Sequence, residues 1–294
     1  AYDVVGLPDA SIKEGKDRIR SAIKNSGLEY PIYKITVNLA PADTKKEGSI
    51  YDLPIAVGLL SATNQIPIAS TNGFVILGEL SLNGDVRKIN GILPMLISAR
   101  ENGYKKVIIP YQNTREASFI EGLETYGVST LNDVVQFFKG TKIIKPVEIS
   151  KYEEIKRQEI ASNDFCYIKG QKTAKRALEI AAAGGHNMIM LGPPGSGKTM
   201  LAKAFPSILP DLTFEEALEV TKIHSVAGTL DSKKGIVLTR PFRSPHHTTT
   251  MVTMIGGNRN SRPGEVSLAH NGVLFLDELP EYPRNLIEAL RQPL

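Results

Sequence analysis

The chain has 294 residues and a formal net charge of +4, room for two domains that each bury a core. With 41% hydrophobic and 22% charged residues it is an ordinary globular chain, which excludes a low-complexity or collagen-like one. A single cysteine, Cys166, excludes an internal disulfide framework and fits a reducing, cytoplasmic setting.

No apolar run reaches the length of a membrane span, and the longest contender, "LPIAVGLLSA", is broken at Thr63, Asn64 and Gln65. The opening "AYDVVGLPDA" lacks the basic and apolar regions of a signal peptide, so no membrane partner is expected. The mild basicity permits nucleic-acid contact without arguing for it.

In chain order, "SIKEGKDRIRSAIKNSG" predicts a helix with a Ser11–Glu14 capping box and an exit at Gly27. Ile12, Gly15, Ile19 and Ile23 fall on its inner face, and Lys13, Lys16, Arg20 and Lys24 form a basic stripe away from them. Such stripes are usually solvated faces, and a phosphate-tracking surface is the minority reading. "KITVNLAP" alternates as a strand, "DLPIAVGLLSATNQ" is an apolar helix, and "GFVILGELSLNGDVRKI" reads as a hairpin turning at Asn83-Gly84. A helix through "LISAREN", a strand "KKVIIP" and a helix "LNDVVQFFKG" complete this half. A charged linker follows, and from Phe165 the order is helix, buried strand ("NMIML"), glycine-rich loop and helix, a P-loop α/β unit.

"GPPGSGKT", Gly192 to Thr199, satisfies the phosphate-loop pattern G-x-x-x-x-G-K-[ST]. Its glycines let backbone N–H groups turn inward around phosphates, and the following helix presents its positive end to the same anion. Pro194, Gly195, Ser196, Gly197, Lys198 and Thr199 are therefore candidate nucleotide-binding residues. Lys198 is expected to reach the β- and γ-phosphates of ATP, and the Thr199 hydroxyl to ligate Mg²⁺. Val273 to Leu276 read as a strand buried on both faces and ending in Asp277 and Glu278. Asp277 is expected to hold Mg²⁺, and Glu278 to polarise the attacking water, so Lys198 and Glu278 are the candidate catalytic residues.

The segment "KGQKTAKRALEIAAAGGHNMIMLGPPGSGKTMLAKAFPSILP" resembles the AAA+ ATPases. "RPFRSPHHTTT" and "RPGEVSLAHNGVLFLDELPEY" narrow the resemblance to the magnesium-chelatase-like ComM/YifB family. "VGLPDASIKEGKDRIRSAIKNSG" and "KITVNLAPADTKKEGSIYDLPIAVGLL" match the same family's pattern. The resemblance implies an α/β chain: a Lon-protease-like α+β domain at 1–142, a linker at 143–164 and a helix-2-insert AAA+ core with a parallel sheet at 165–294. It further implies ATP and Mg²⁺ as cofactors, Ile168 and Gly170 beside the adenine, and self-assembly into a hexameric ring. The implied function is an ATP hydrolase that drives branch migration of DNA in natural transformation. Two alternatives are a chelatase-type ATPase acting through a partner that inserts Mg²⁺ into a tetrapyrrole, and a module that only binds nucleotide and assembles.

An AAA+ module of this kind continues past its Asp-Glu strand into sensor residues, an arginine finger and a lid. Family members also carry a strand-rich segment before "VGLPD". The sequence therefore reads as a fragment cut at both ends, with weak or no turnover of its own. In a Lon-like domain a Ser-Lys peptidase dyad is the next question. No lysine lies between Asn90 and Leu96, and Ser49 is out of register, so a nucleophile here lacks its base and no peptidase is expected.

His246 and His247, if on a strand, point to opposite sides and would not share one ion, and no spacing resembles a zinc site. Arg240, Arg243, His246 and His247 occupy a proline-punctuated loop or hairpin. Contact with DNA phosphates in a ring's pore and a place in the subunit interface are both open for them. With no tryptophan and no evident aromatic ladder, DNA contact is expected to be mostly to backbone and salt-dependent.

Overall fold

A computed structural model of the chain describes residues 2–156, 164–257 and 262–292. They fall into two units, Ala1–Ser150 with Ser232–Gly235, and Lys151–Asp231 with Ile236–Leu294. Residues 143–150, assigned to a linker above, belong to the first unit, where Val147 N donates to Thr125 O and Ser150 N to Ser118 O, both at 2.8 Å. Residues 157–163 of that linker lie outside the described residues.

In the first unit, strand β1 (Tyr2–Val5) and helix α1 (Ala10–Asn25) lead to strand β2 (Ile35–Asn38), which pairs with β1 in parallel. Ile12, Gly15, Ile19 and Ile23 are buried along α1, joined by Ala22, because a period of 3.6 keeps these positions on one side. The helix start differs from the expected Ser11–Glu14 box. Asp9 is the cap: its carboxylate accepts from Ile12 N at 2.8 Å and from Gly48 N at 3.0 Å. A charged acceptor at the positive helix end starts the helix earlier and leaves Ser11 inside its first turn.

Helix α2 (Asp52–Ala62) is the centre of this core, with Leu53, Ala56 and Leu60 fully buried. Burial of each leucine contributes about 1.5–3 kcal/mol. Helices α1 and α2 approach so closely at Gly15 that a Cβ there would stand 2.7 Å from Asp52 Oδ1. Asp52 is buried and paired with Arg18 at 2.7 Å; burial pushes its carboxyl up, and the guanidinium pulls it back.

The expected hairpin at 73–89 divides. Strand β3 (Phe74–Ile76) leaves it, while β4 (Glu79–Leu80) and β5 (Val86–Arg87) pair antiparallel. Only Gly84 of the Asn83-Gly84 pair takes a positive φ, +90°, and its N–H closes the turn on Ser81 O. After helix α3 (Ile92–Glu101), strand β6 (Lys106–Pro110) pairs in parallel with β3. The short α4 (Thr114–Ala117) precedes β7 (Glu124–Val128), giving the sheet order β3-β6-β7. Alternation announces a strand but not its partner, which is why β3 read as half of a hairpin. Helix α5 (Leu131–Phe138) closes the unit under a Thr130–Asp133 capping box.

The second unit contains helices α6 (Tyr152–Lys156), α7 (Lys172–Gly184), α8 (Lys198–Ala204) and α9 (Phe214–Ala227). Strand β8 (Phe242–Arg243), α10 (Met251–Ile255), α11 (Glu265–Leu268), strand β9 (Val273–Leu274) and α12 (Arg284–Ala289) follow. The expected parallel sheet is present as β8 against β9, with Phe242 opposite Val273. "NMIML" is not part of it: among the described residues 187–191 form no strand, and Ile189 and Leu191 are 71% and 90% exposed. The expected burial of Val273–Leu276 on both faces is likewise absent. These residues are half-buried, because β9 has a ladder neighbour on one side only among the described residues. Small clusters hold the unit: Phe165, Ile168, Leu178 and Leu201 around α7 and α8, and Met254, Tyr282, Leu286 and Leu290 beneath α12.

Candidate functional site: the phosphate loop and the Asp-Glu strand end

Two glycines let the loop before α8 curl. Gly195 and Gly197 take φ +76° and +87°, a region where a Cβ is strained, and the helix begins at Lys198 immediately after. The Lys198 ammonium folds over the loop and donates to Gly192 O at 2.8 Å and Pro193 O at 3.0 Å. The next residue provides the link to the distant strand. Thr199 Oγ1 donates to Asp277 Oδ2 at 2.9 Å, joining residues 78 apart in sequence.

Glu278 follows at the end of β9's extension in a left-handed backbone, φ +53°, with its N–H on Asp277 Oδ1 at 3.1 Å. Its carboxylate is largely exposed and lies 3.6 Å from His247 Nδ1. His246 and His247 are not on a strand, and their rings lie side by side at 4.0 Å rather than on opposite faces. Tyr282 Oη donates to Pro245 O at 2.6 Å, fastening the histidine loop to the segment after Glu278, and burial pushes the Tyr282 phenol up. No group of three or more His, Cys, Asp and Glu side chains among the described residues could hold a metal by itself. His270 contacts Glu219 at 3.2 Å.

Also along α8 is a cleft of about 460 Å³ lined by Tyr167, Ile168, Thr199, Met200 and Lys203. Ile168 is buried, its carbonyl accepts from Lys175 Nζ at 2.9 Å, and that ammonium stands 5.0 Å from the centre of the Phe165 ring. Gly170 has φ +73°. Gln171, next in sequence, caps α7 and donates through Nε2 to Ser196 O at 3.0 Å, tying the Ile168 segment to the phosphate loop. Sequence reasoning passed over Gln171 and Lys175. Their only signal was a polar and a basic residue just after Gly170, and most such residues are solvated.

Arg240 and Arg243 are both held by partners within their own unit. Arg240 donates to Pro210 O at 2.5 Å, Asn271 O at 2.8 Å and Glu216 Oε2 at 3.0 Å, and its side chain is 15% exposed. Arg243 forms a two-pronged pair with Glu265 at 2.6 and 2.7 Å. Both guanidiniums are engaged inside their own unit, which leaves them little to offer a phosphate. The physical reason is that β8 carries Arg243 in register beside β9, over the short helix α11 that supplies Glu265.

The residues present fit a magnesium nucleotide. A hydroxyl and a carboxylate 2.9 Å apart are hard oxygen donors of the kind Mg²⁺ takes, and beside them is a lysine within a loop freed of side chains at two glycines. This pairing of loop threonine and strand-end aspartate is the arrangement of a P-loop nucleotide site.

Comparison with known proteins narrows the class. A family model described as "Magnesium chelatase, subunit ChlI" matches residues 164–294, and one described as "Subunit ChlI of Mg-chelatase" matches residues 1–113. Along its whole length the chain is 46% identical to competence protein ComM of Haemophilus influenzae, of which it covers 57%. It is 45% identical, over 99% of its length, to YifB of Escherichia coli, of which it covers 56%. Over 124 residues, 42% of this chain and 22% of the relative, it is 33% identical to Lon protease 2 of Bacillus subtilis. The chain belongs to the magnesium-chelatase-like ComM/YifB family and spans a little over half the length of those relatives. That family implies the use of nucleotide and Mg²⁺ and an AAA+ habit of oligomerisation, and it carries a Lon-like first half. Among the described residues no helix is long and apolar enough to cross a membrane. Ser49, at the place of the question about a peptidase, donates its hydroxyl to Glu79.

Proposed function

We propose that this chain is the nucleotide-binding part of an AAA+ motor subunit whose ATP hydrolysis remodels DNA, moving the branch points of recombination intermediates in natural transformation. The observation that carries the ATPase reading is the Thr199–Asp277 hydrogen bond at 2.9 Å beside Lys198. The DNA reading is supported by 46% identity along the whole chain to a protein named for competence.

Bound Mg²⁺·ATP supplies the transferable phosphoryl group and a Lewis acid. The chain's own residues bind and orient it. Lys198 gives up its two loop carbonyls to neutralise phosphate charge, and the loop N–H groups orient the anion. Thr199 and Asp277 would hold the metal, and Glu278 would receive the proton of the attacking water. Ile168, Gly170 and the cleft beside them bind the base. The full-length protein acts in the cytoplasm as a ring of its own copies, a hexamer.

The description of the matching family model favours a second reading, a chelatase-type ATPase that drives metal insertion through a partner subunit. Both readings share every residue of the ATP site, so the substrate must be tested directly. The full-length protein's ATP hydrolysis is measured with and without a four-way DNA junction, with Lys198→Ala as the blank. Stimulation by DNA that fades with salt supports the motor; no response to any DNA structure overturns it and leaves the chelatase reading.

A further inference from the structure

Arg240 and Arg243 are engaged internally, but other cations among the described residues are not. We infer that the outer face of α1 is a binding surface for single-stranded DNA, with Lys13, Lys16, Arg20 and Lys24 tracking the phosphates and Tyr33 stacking on a base. The inference rests on the DNA reading above.

Helical spacing places the four cations within an arc of about 80° and along about 16 Å of axis. Three of them are exposed and Lys16 is half-buried. None makes a hydrogen bond or ion pair among the described residues, whereas Arg18 on the same helix is spent on Asp52 at 2.7 Å. The helix's exposed acids, Glu14 and Asp17, lie on the flank of the stripe and pair with none of the four. The stripe therefore keeps its positive charge for an outside partner.

The loop leaving α1 adds the second element. The Arg20 guanidinium lies 5.9 Å from the centre of the Tyr30 ring, and the chain then carries Ile32 and Tyr33 into solvent at 93% and 76% exposure. A row of cations on the helix and, three residues past Tyr30 in the loop that leaves it, an outward aromatic ring are the chemistry of single-strand binding: charge follows the backbone and the ring accepts a base of any identity. Only unpaired bases offer a face to stack on Tyr33, which favours a single strand over a duplex.

The test is fluorescence anisotropy of a labelled oligothymidylate with this chain across a series of salt concentrations. Replacing Lys13, Lys16, Arg20 and Lys24 by glutamine is expected to flatten the log–log salt slope by about 3, since each single-strand phosphate contact contributes about 0.7. Tyr33→Ala is expected to weaken binding roughly five-fold or more with the slope unchanged. The substitutions leave the buried isoleucine face intact; if the quadruple variant does not fold, Lys13→Glu and Lys24→Glu singly are read instead, each with a shallower slope. A parent that binds DNA with slopes unchanged in all these variants overturns the inference alone. A parent that binds no DNA overturns the inference alone, the DNA reading being decided by the full-length junction assay, and preference for an acidic polypeptide over the oligonucleotide overturns the inference in favour of a protein partner.

Discussion

Along α2 the first unit buries Leu53, Ala56 and Leu60 completely, whereas α8 itself buries Leu201 and the small Ala202 and Ala204, and the phosphate loop before it is left largely to solvent. The first region is organised by apolar contact over a long sequence range. The second is organised by individual polar links: Thr199 to Asp277, Gln171 to Ser196, Arg243 to Glu265. The difference teaches that a core can be specified by pattern, while a site that must open to a ligand is specified by a few side chains with backbone freedom beside them.

The sharpest way to break this contrast is at the loop itself. Lys198→Ala in the full-length protein is expected to lower ATP turnover by about 100-fold or more, read as steady-state phosphate release. Glu278→Gln is expected to lower kcat by about 10²–10⁴-fold while leaving ATP affinity near that of the parent. Because His247 lies 3.6 Å from that carboxylate, His247→Ala is the natural companion variant, with a smaller fall in kcat. Leu60→Ala tests the other region: denaturant unfolding is expected to show a loss of about 2–5 kcal/mol, with ATP affinity unchanged. Arg243→Met, which leaves Glu265 without its partner, is expected to cost the second unit about 1–3 kcal/mol.

The smallest effect concerns pH. His224 is half-buried, with Nε2 3.1 Å from Leu268 O and Nδ1 2.9 Å from Thr229 Oγ1. Burial lowers its pKa below the ordinary 6.5, the Leu268 carbonyl working against that. The folded state thus sheds a proton that the unfolded chain keeps. Its contribution to stability is full above about 6.5 and is lost as pH falls through the lowered value. Melting temperature measured from pH 7.5 to 5 is expected to fall less steeply in His224→Gln than in the parent.

How much of this was legible in the sequence follows the same division. The inner face of α1 was readable from Ile12, Ile19 and Ile23, because helical periodicity survives any tertiary context. The glycine-rich loop was readable because its pattern follows from what a phosphate needs. What was not legible required knowing a partner. Phe74–Ile76 is a strand either way, yet its neighbour is β6 and not β5. Asp9 outcompetes Ser11 as a cap partly because Gly48, 39 residues on, also donates to it. Arg240 and Arg243 read as free cations until Glu216 and Glu265, each more than twenty residues away, are brought to them. Gln171 owes its role to a left-handed backbone position that no local pattern announces.

The account stands most directly on Thr199 and Asp277 acting as one metal-binding pair. Calorimetric titration of ATP into the chain, with and without Mg²⁺, tests it in the parent, in Thr199→Ala, in Asp277→Asn and in the double variant. The predicted result is a Mg²⁺-dependent gain in ATP affinity in the parent that either single substitution removes, with the double variant no worse than the singles. Equal affinity with and without Mg²⁺ in the parent, or an undiminished gain in both single variants, would contradict the account.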